Sequence, residues 1–99
     1  AKLFITEHTH LTIYQGNMLP AVPMPPLVEQ TPVVIGAGSL QSAAFDAKTR
    51  VVGLHADAIC SVAFGANPTA TANTRRLAAN STEYFQVTPG DKVAVITNT

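Results

Sequence analysis

The stretch that decides the fold is residues 50–64, which read RVVGLHADAICSVAF. Apolar residues recur at every second position in its two halves, which is the period of a β-strand and not that of a helix. The stretch therefore predicts two strands, at 50–55 and 59–64, with a short turn between them. The apolar side chains that this alternation places on one face of each strand are Val52, Leu54, Cys60, Val62 and Phe64.

Alternation and turn signals divide the rest of the chain in the same way. Residues 2–15 alternate over a length that is long for one strand, so we expect a bend or bulge near residues 7–9. Residues 27–35 predict an edge strand, because Pro32 cannot donate a ladder hydrogen bond. Further strands are predicted at 40–45, 82–87 and 92–97, with a weak strand or turn at 76–79.

The spacing of these segments indicates the fold class. About seven or eight short strands follow one another at roughly ten-residue intervals, separated by turn signals. No window places apolar residues at helical spacing over a sustained length. We therefore expect a single all-β domain, an antiparallel β-sandwich of jelly-roll-like form.

A proline-rich segment precedes the predicted sandwich. Residues 16–26 read GNMLPAVPMPP, and the four prolines between residues 20 and 26 exclude a helix and a central strand. Because its other residues are mostly apolar, we expect an extended, semi-rigid arm that lies on an apolar surface. The chain is thus divided into an N-terminal strand and arm, 1–26, and a sandwich body, 27–99. The arm residues predicted to lie in a subunit or capsid interface are Met18, Leu19, Pro20, Val22, Pro23, Met24, Pro25, Pro26 and Leu27.

Charge is scarce in this chain of 99 residues. Six basic and six acidic side chains give a formal net charge of zero, and 12% of residues are charged, about half the usual 25%. A neutral chain lacks the electrostatic attraction that nucleic acids and anionic lipids require. Its apolar runs are also shorter than the roughly 18 residues of a membrane span. We expect neither partner, and infer that much of the surface contacts other protein.

Three histidines are the candidates for metal binding. His8 and His10 share one face of the predicted first strand, and His55 could complete a three-histidine site. The alternative is that the pair lies on the solvent face of an edge strand. A small cupin-like metal- or ligand-binding protein is therefore an alternative function, although the glutamate and late histidine of metal cupins are missing here. We expect no cofactor.

Other reactive side chains favour structural interpretations. Cys60 lies in an apolar strand and predicts a buried thiol, not a nucleophile. No two carboxylates are predicted to share a face, so acid–base catalysis is not indicated and we do not expect an enzyme. Arg75 and Arg76 form the one basic doublet, which is either an electrostatic contact to a partner subunit or a solvated turn.

Five stretches in the region 39–97 carry a resemblance to known proteins. The most specific part is the run Val-Ala-Phe-Gly-x-Asn-Pro at 62–68. The stretches are residues 41–45, 49–70, 77–80, 83–87 and 89–96.

Together these stretches resemble small virion proteins of tailed bacteriophages, of the capsid decoration or cement kind. The resemblance implies a β-sandwich that sits on a capsid lattice as a dimer or trimer and has no catalytic motif. Its partners would be copies of itself and the major capsid protein or another virion protein. The chain would be made in the bacterial host cytoplasm and located on the capsid exterior.

Two further alternatives remain open from the sequence. A tail or fibre component of similar size would share the same features. A carbohydrate-binding module would use exposed aromatic side chains, for which Phe4, Tyr14 and Tyr84 are available. The other aromatic side chains, Phe45, Phe64 and Phe85, are expected in the core.

Overall fold

The computed structural model describes residues 1–9 and 28–98, and within them the fold is all-β. These residues form nine strands in two antiparallel sheets and no helix, which confirms the predicted all-β antiparallel class. The strands are β1 (Lys2–His8), β2 (Val28–Glu29), β3 (Val33–Val34), β4 (Leu40–Gln41), β5 (Val51–Ala56), β6 (Cys60–Gly65), β7 (Arg75–Leu77), β8 (Ser81–Gln86) and β9 (Lys92–Thr97).

The first sheet, sheet A, is built around β1 and β5. β1 pairs with β5 from Leu3 to His8, and β8 continues the sheet on the far side of β5. The other side of β1 is occupied by β2 and β3, with Thr6 opposite Glu29 and Leu3 opposite Val33. The first strand, which the sequence groups with the arm, is therefore an interior strand of sheet A.

The second sheet, sheet B, has the order β4-β9-β6-β7. Its centre is the antiparallel pair of β6 and β9, in which Val62 lies opposite Val95. The two-residue β4 lies beside β9, and the three-residue β7 lies beside β6.

The core lies between the two sheets, in a sandwich-like arrangement. The alternation predicted for residues 50–64 is observed, because Val52, Leu54 and Val62 are at most 1% exposed. One apolar cluster joins residues of both sheets. Its members are Leu3, Ile5, Ile35, Phe45, Val52, Leu54, Ala56, Cys60, Val62, Leu77, Val93 and Val95.

Several strand boundaries differ from the predicted ones. The strand predicted at 2–15 ends at His8, and its continuation beyond residue 9 lies outside the described residues. The single strand predicted at 27–35 is two short strands, because the chain leaves the ladder around Pro32. On either side of that break, the Gln30 N–H donates to Ile5 O at 3.1 Å and the Ile35 N–H to Ala1 O at 2.9 Å.

Two other expectations need correction. The strand predicted at 40–45 is limited to Leu40–Gln41, although the Ser42 N–H still donates to Val93 O at 2.7 Å. Phe64 was expected in the core, but it lies near the end of β6 and is 36% exposed. Phe45 is buried as expected, and Phe85 is only partly buried.

Candidate functional site

Sheet edges are where a sandwich of this kind can contact other chains, and the described residues form four of them. Three of these edges are poorly suited to pairing with a further strand. One consists of β2 and β3, which have two residues each and are separated by Pro32. The second is the two-residue β4, and the third is β7, which has three residues and carries Arg75 and Arg76. The fourth edge is β8, which has six residues and contains neither proline nor lysine.

Arg75 closes the side of the sandwich between β7 and β8. Its Nη2 donates to Glu83 Oε1 at 2.7 Å, and its guanidinium carbon lies 5.3 Å from the centre of the Phe85 ring. The Phe85 ring also contacts that of Phe64, with the ring centres 5.2 Å apart and the planes tilted by 46°. The Arg75 side chain is 59% exposed, so the ion pair contributes less than about 1 kcal/mol. Its structural effect is to leave Glu83 paired within the same chain.

The second arginine of the predicted doublet has different surroundings. Arg76 and Glu83 line an open depression of about 470 Å³, together with Ile59, Ala78 and Ala79. Within the described residues, the doublet is thus divided between an internal ion pair and a surface depression. Whether either arginine contacts another subunit stays a prediction.

A groove lies on the opposite side of the sandwich, between β2–β3 and β4. Its volume is about 490 Å³, and its apolar lining includes Val28, Pro32, Val33, Leu40 and Ala43. Val34 and Leu40, at 54% and 49% exposure, are the most exposed large apolar side chains among the described residues. Both long sides of the sandwich therefore present apolar groups to solvent.

The outer face of sheet A carries two exposed aromatic side chains. Phe4 is 42% and Tyr84 41% exposed. The register places Thr6 and Gly53 across from Tyr84, so two strand spacings and two residues separate the aromatic pair. Their Cα atoms are then about 12 Å apart.

The structure does not bring His8 and His55 together. The register places Phe4, not His8, opposite His55. The two histidines are therefore offset by four residues on neighbouring strands, which corresponds to about 13 Å along the strand direction. To share one zinc ion, each would need a ring nitrogen at about 2 Å from the metal. His10 lies outside the described residues, which contain no group of three or more His, Cys, Asp or Glu that could hold a metal ion.

Each of these histidines has local contacts. His8 is 4% exposed, with its Nε2 3.1 Å from Thr6 Oγ1 and its ring edge-on to Tyr84 at 6.0 Å. Its Nδ1 is buried and has no hydrogen-bond partner among residues 1–9 and 28–98. His55 Nδ1 lies 3.0 Å from Thr82 Oγ1, and its ring centre is 6.4 Å from that of Phe4.

Glu7 is a buried carboxylate that sequence reasoning missed. It is 1% exposed and shares the inward face of β1 with Leu3 and Ile5. Three donors surround it: Thr49 Oγ1 at 2.7 Å, the Asp46 N–H at 2.8 Å and Gln30 Nε2 at 2.7 Å. The signal in the sequence is that Glu7 falls on the same side of the alternating pattern as Leu3 and Ile5. Glu7 thus fastens β1 to the connection between β4 and β5.

Cys60 is the buried thiol that the sequence predicts, at 0% exposure. Burial raises the pKa of this thiol, and the nearby Asp57 carboxylate raises it further. Both effects disfavour the thiolate, which is the nucleophilic form.

The raised pKa of Cys60 gives a stability prediction with a defined sign. Above about pH 8.5 an unfolded cysteine loses its proton, whereas the folded thiol keeps it, so the unfolded state binds fewer protons and the free energy of unfolding falls. We expect Cys60→Ala to lose less stability than the wild type between pH 8 and pH 10 in urea titrations. An equal loss in both proteins would contradict this assignment.

Comparison with protein-family models, with curated proteins and with solved structures finds no match to the chain. Within residues 1–9 and 28–98 there is no helix long and apolar enough to cross a membrane. The arm residues predicted to form an interface, Met18 to Leu27, lie outside the described residues.

Proposed function

We propose that this chain is a structural virion protein that self-associates and binds a capsid surface, as a decoration or cement protein on the exterior of the shell. The observation that carries the proposal is the surface of the sandwich. In the part of the chain that the structure describes, five large apolar side chains are 36–54% exposed, and only 12% of the whole sequence is charged. The resemblance of residues 39–97 to phage virion proteins supports the same role.

Physical chemistry favours such a surface for assembly. Protein interfaces are depleted of charge at their centres, where apolar groups leave water. Removing apolar surface from water contributes about 25 cal/mol per Å². Because a shell offers many copies of one binding site, linked weak contacts reach high overall affinity through multivalency. A neutral protein with exposed apolar edges suits that mode of binding.

The strand order supports a jelly-roll-like fold as part of the proposal. From β2 to β9 the chain crosses between sheets A and B at most connections, as the two interlocked Greek keys of a jelly roll require. β1 fills the position between β2 and β5 in sheet A. We assign β1 to the position that the last strand of a jelly roll usually occupies.

The proposed arm, residues 16–27, is the second contact with the shell or with a neighbouring copy. Removing all of 1–26 would also remove β1, an interior strand, and would test folding instead of binding. A cleaner change is available because Glu7 pairs directly with Val28. Residues 10–27 can therefore be replaced by Asn-Gly, so that His8, Thr9, Asn and Gly form a four-residue loop between Glu7 and Val28, a length that is common in β-hairpins.

The Asn-Gly replacement tests the proposed function on virus particles. We expect the variant to melt cooperatively near the wild-type temperature, and to bind at least tenfold more weakly to particles stripped of the chain. The measurement is co-sedimentation of purified protein with particles of the virus that encodes it. A folded variant that binds as tightly as the wild type would show that the arm makes no contact.

A further inference from the structure

We infer that the outer edge of β8 (Ser81–Gln86), which pairs with no other strand of the described residues, is a homodimer interface at which two copies of this chain join their sheets A in antiparallel fashion. This inference deepens the proposed function, because it names the surface through which the protein self-associates. It rests on the backbone geometry of β8, on its charge pattern and on the contrast with the other edges.

The backbone of β8 alternates between groups that face β5 and groups that face solvent. The Val87 N–H donates to Arg50 O at 2.8 Å, which fixes that alternation. In the register of the β5–β8 ladder, the backbone of Phe85 then hydrogen-bonds to that of Val52, and the backbone of Glu83 to that of Leu54. The N–H and C=O groups of Thr82, Tyr84 and Gln86 consequently point away from the sheet, and β8 has no strand on that side among the described residues.

This edge carries only one of the features that keep natural edges from pairing, the inward-facing charge of Glu83. Short strands, prolines, lysines and bulges are the usual protection, and the other three edges of the described sheets are short, and in two cases also carry proline or arginine. β8 is six residues long and has one charged side chain, Glu83, whose charge is paired with Arg75 of the same chain. A protein that needed to stay monomeric would be expected to protect this strand.

A second copy fits the edge without opposing like charges. With the two-fold axis at Tyr84, each Tyr84 exchanges two backbone hydrogen bonds with its copy, and Thr82 lies opposite Gln86 on either side. Glu83 then lies opposite Phe85. Because the formal net charge of the chain is zero, long-range repulsion between the copies is also absent.

The expected strength is that of a small interface. An edge contact of this length belongs to the weak class, below about 1,200 Å² of buried surface. We therefore expect a dissociation constant in the micromolar range for the free protein. On a lattice, the same contact gains from multivalency.

Two matched double variants test the edge. Thr82→Lys with Gln86→Lys places a lysine opposite a lysine at both outer pairs, whereas Thr82→Lys with Gln86→Glu places a lysine opposite a glutamate. Both variants lose the contact between Thr82 and His55, so they share that structural cost. From the energies of cross-strand charge pairs, we expect the double-lysine variant to dimerise about tenfold more weakly than the wild type, and the lysine–glutamate variant at least as tightly.

Sedimentation equilibrium of the full chain at low salt gives the answer, with thermal melting as the check on folding. A wild type that is monomeric up to about 500 µM would overturn the inference. The inference would also be overturned if the two variants dimerised with equal dissociation constants, or if neither variant dimerised. Failure of the proposed function would give a different result. A protein that dimerises through β8 but never associates with particles would support the β8 interface and contradict the capsid role.

Discussion

Replacing Glu7 with alanine is expected to destabilise the protein by about 3–5 kcal/mol, because the three donors that converge on this buried carboxylate lose their acceptor together. Thr49 Oγ1, the Asp46 N–H and Gln30 Nε2 all lie within 2.8 Å of the carboxylate. Thr49 is 0% exposed, so its hydroxyl loses its acceptor in a buried position. For a domain of this size each kcal/mol corresponds to about 4–8 °C, and the melting temperature should fall by at least about 12 °C.

A graded pair of substitutions separates hydrogen bonding from other causes. Glu7→Gln keeps one oxygen but turns an NH₂ group toward a donor, and should cost about 1–3 kcal/mol. Glu29 on the adjoining strand β2 is the matched control, because it is an exposed carboxylate in the same sheet. Glu29→Ala should change stability by less than about 0.5 kcal/mol. Chemical denaturation gives all three values, and similar losses at both sites would contradict the assigned network.

The second large effect is expected at Gly53, where Gly53→Val should cost about 1–3 kcal/mol through overpacking. A Cβ at this position would lie 2.8 Å from Thr6 Oγ1 and 2.9 Å from Tyr84 Cε1. The Tyr84 ring therefore covers the backbone of β5 at a point where any side chain at position 53 would have to displace it. The substitution should displace Tyr84 from the edge-on contact with His8 as well.

A second substitution identifies the ring as the cause. In a Tyr84→Ala background, Gly53→Val should cost less, because one of the two close contacts is gone. The control is Gly38→Ala, since a Cβ there meets nothing within 4 Å. Melting temperatures of the four proteins and the wild type form the measurement. An additive cost for Gly53→Val and Tyr84→Ala would show that the ring does not exclude a side chain at this position.

Local alternation was enough to predict the central strands. The pattern in residues 50–64 gives β5 and β6 because Val52, Leu54 and Val62 each face the space between two sheets. The same pattern overestimates the burial of Phe64. Alternation predicts which face of the strand a side chain occupies, but not how close the residue lies to the end of the sandwich. The order of strands was also beyond local reasoning, since β1 and β5 pair across about fifty residues of chain.

Glu7 and Gly53 show why the packing around individual residues could not be predicted from the sequence. Glu7 has the parity of an inward residue, but its burial depends on donors from Gln30, Asp46 and Thr49, which the sequence does not place near it. The need for glycine at position 53 depends on a tyrosine ring from another strand. Of the candidate site, the sequence predicted the low charge, whereas the unprotected edge of β8 required the sheet order. The arm at 16–27 stays a prediction.

The capsid role is tested most directly by counting copies of this chain in virions purified from the virus that encodes it. Quantitative mass spectrometry against the major capsid protein gives the ratio of the two chains. We expect a fixed ratio set by the lattice, and accessibility of the chain to protease or antibody on intact particles. Particles that lack the chain while infected cells contain it would contradict the proposed function.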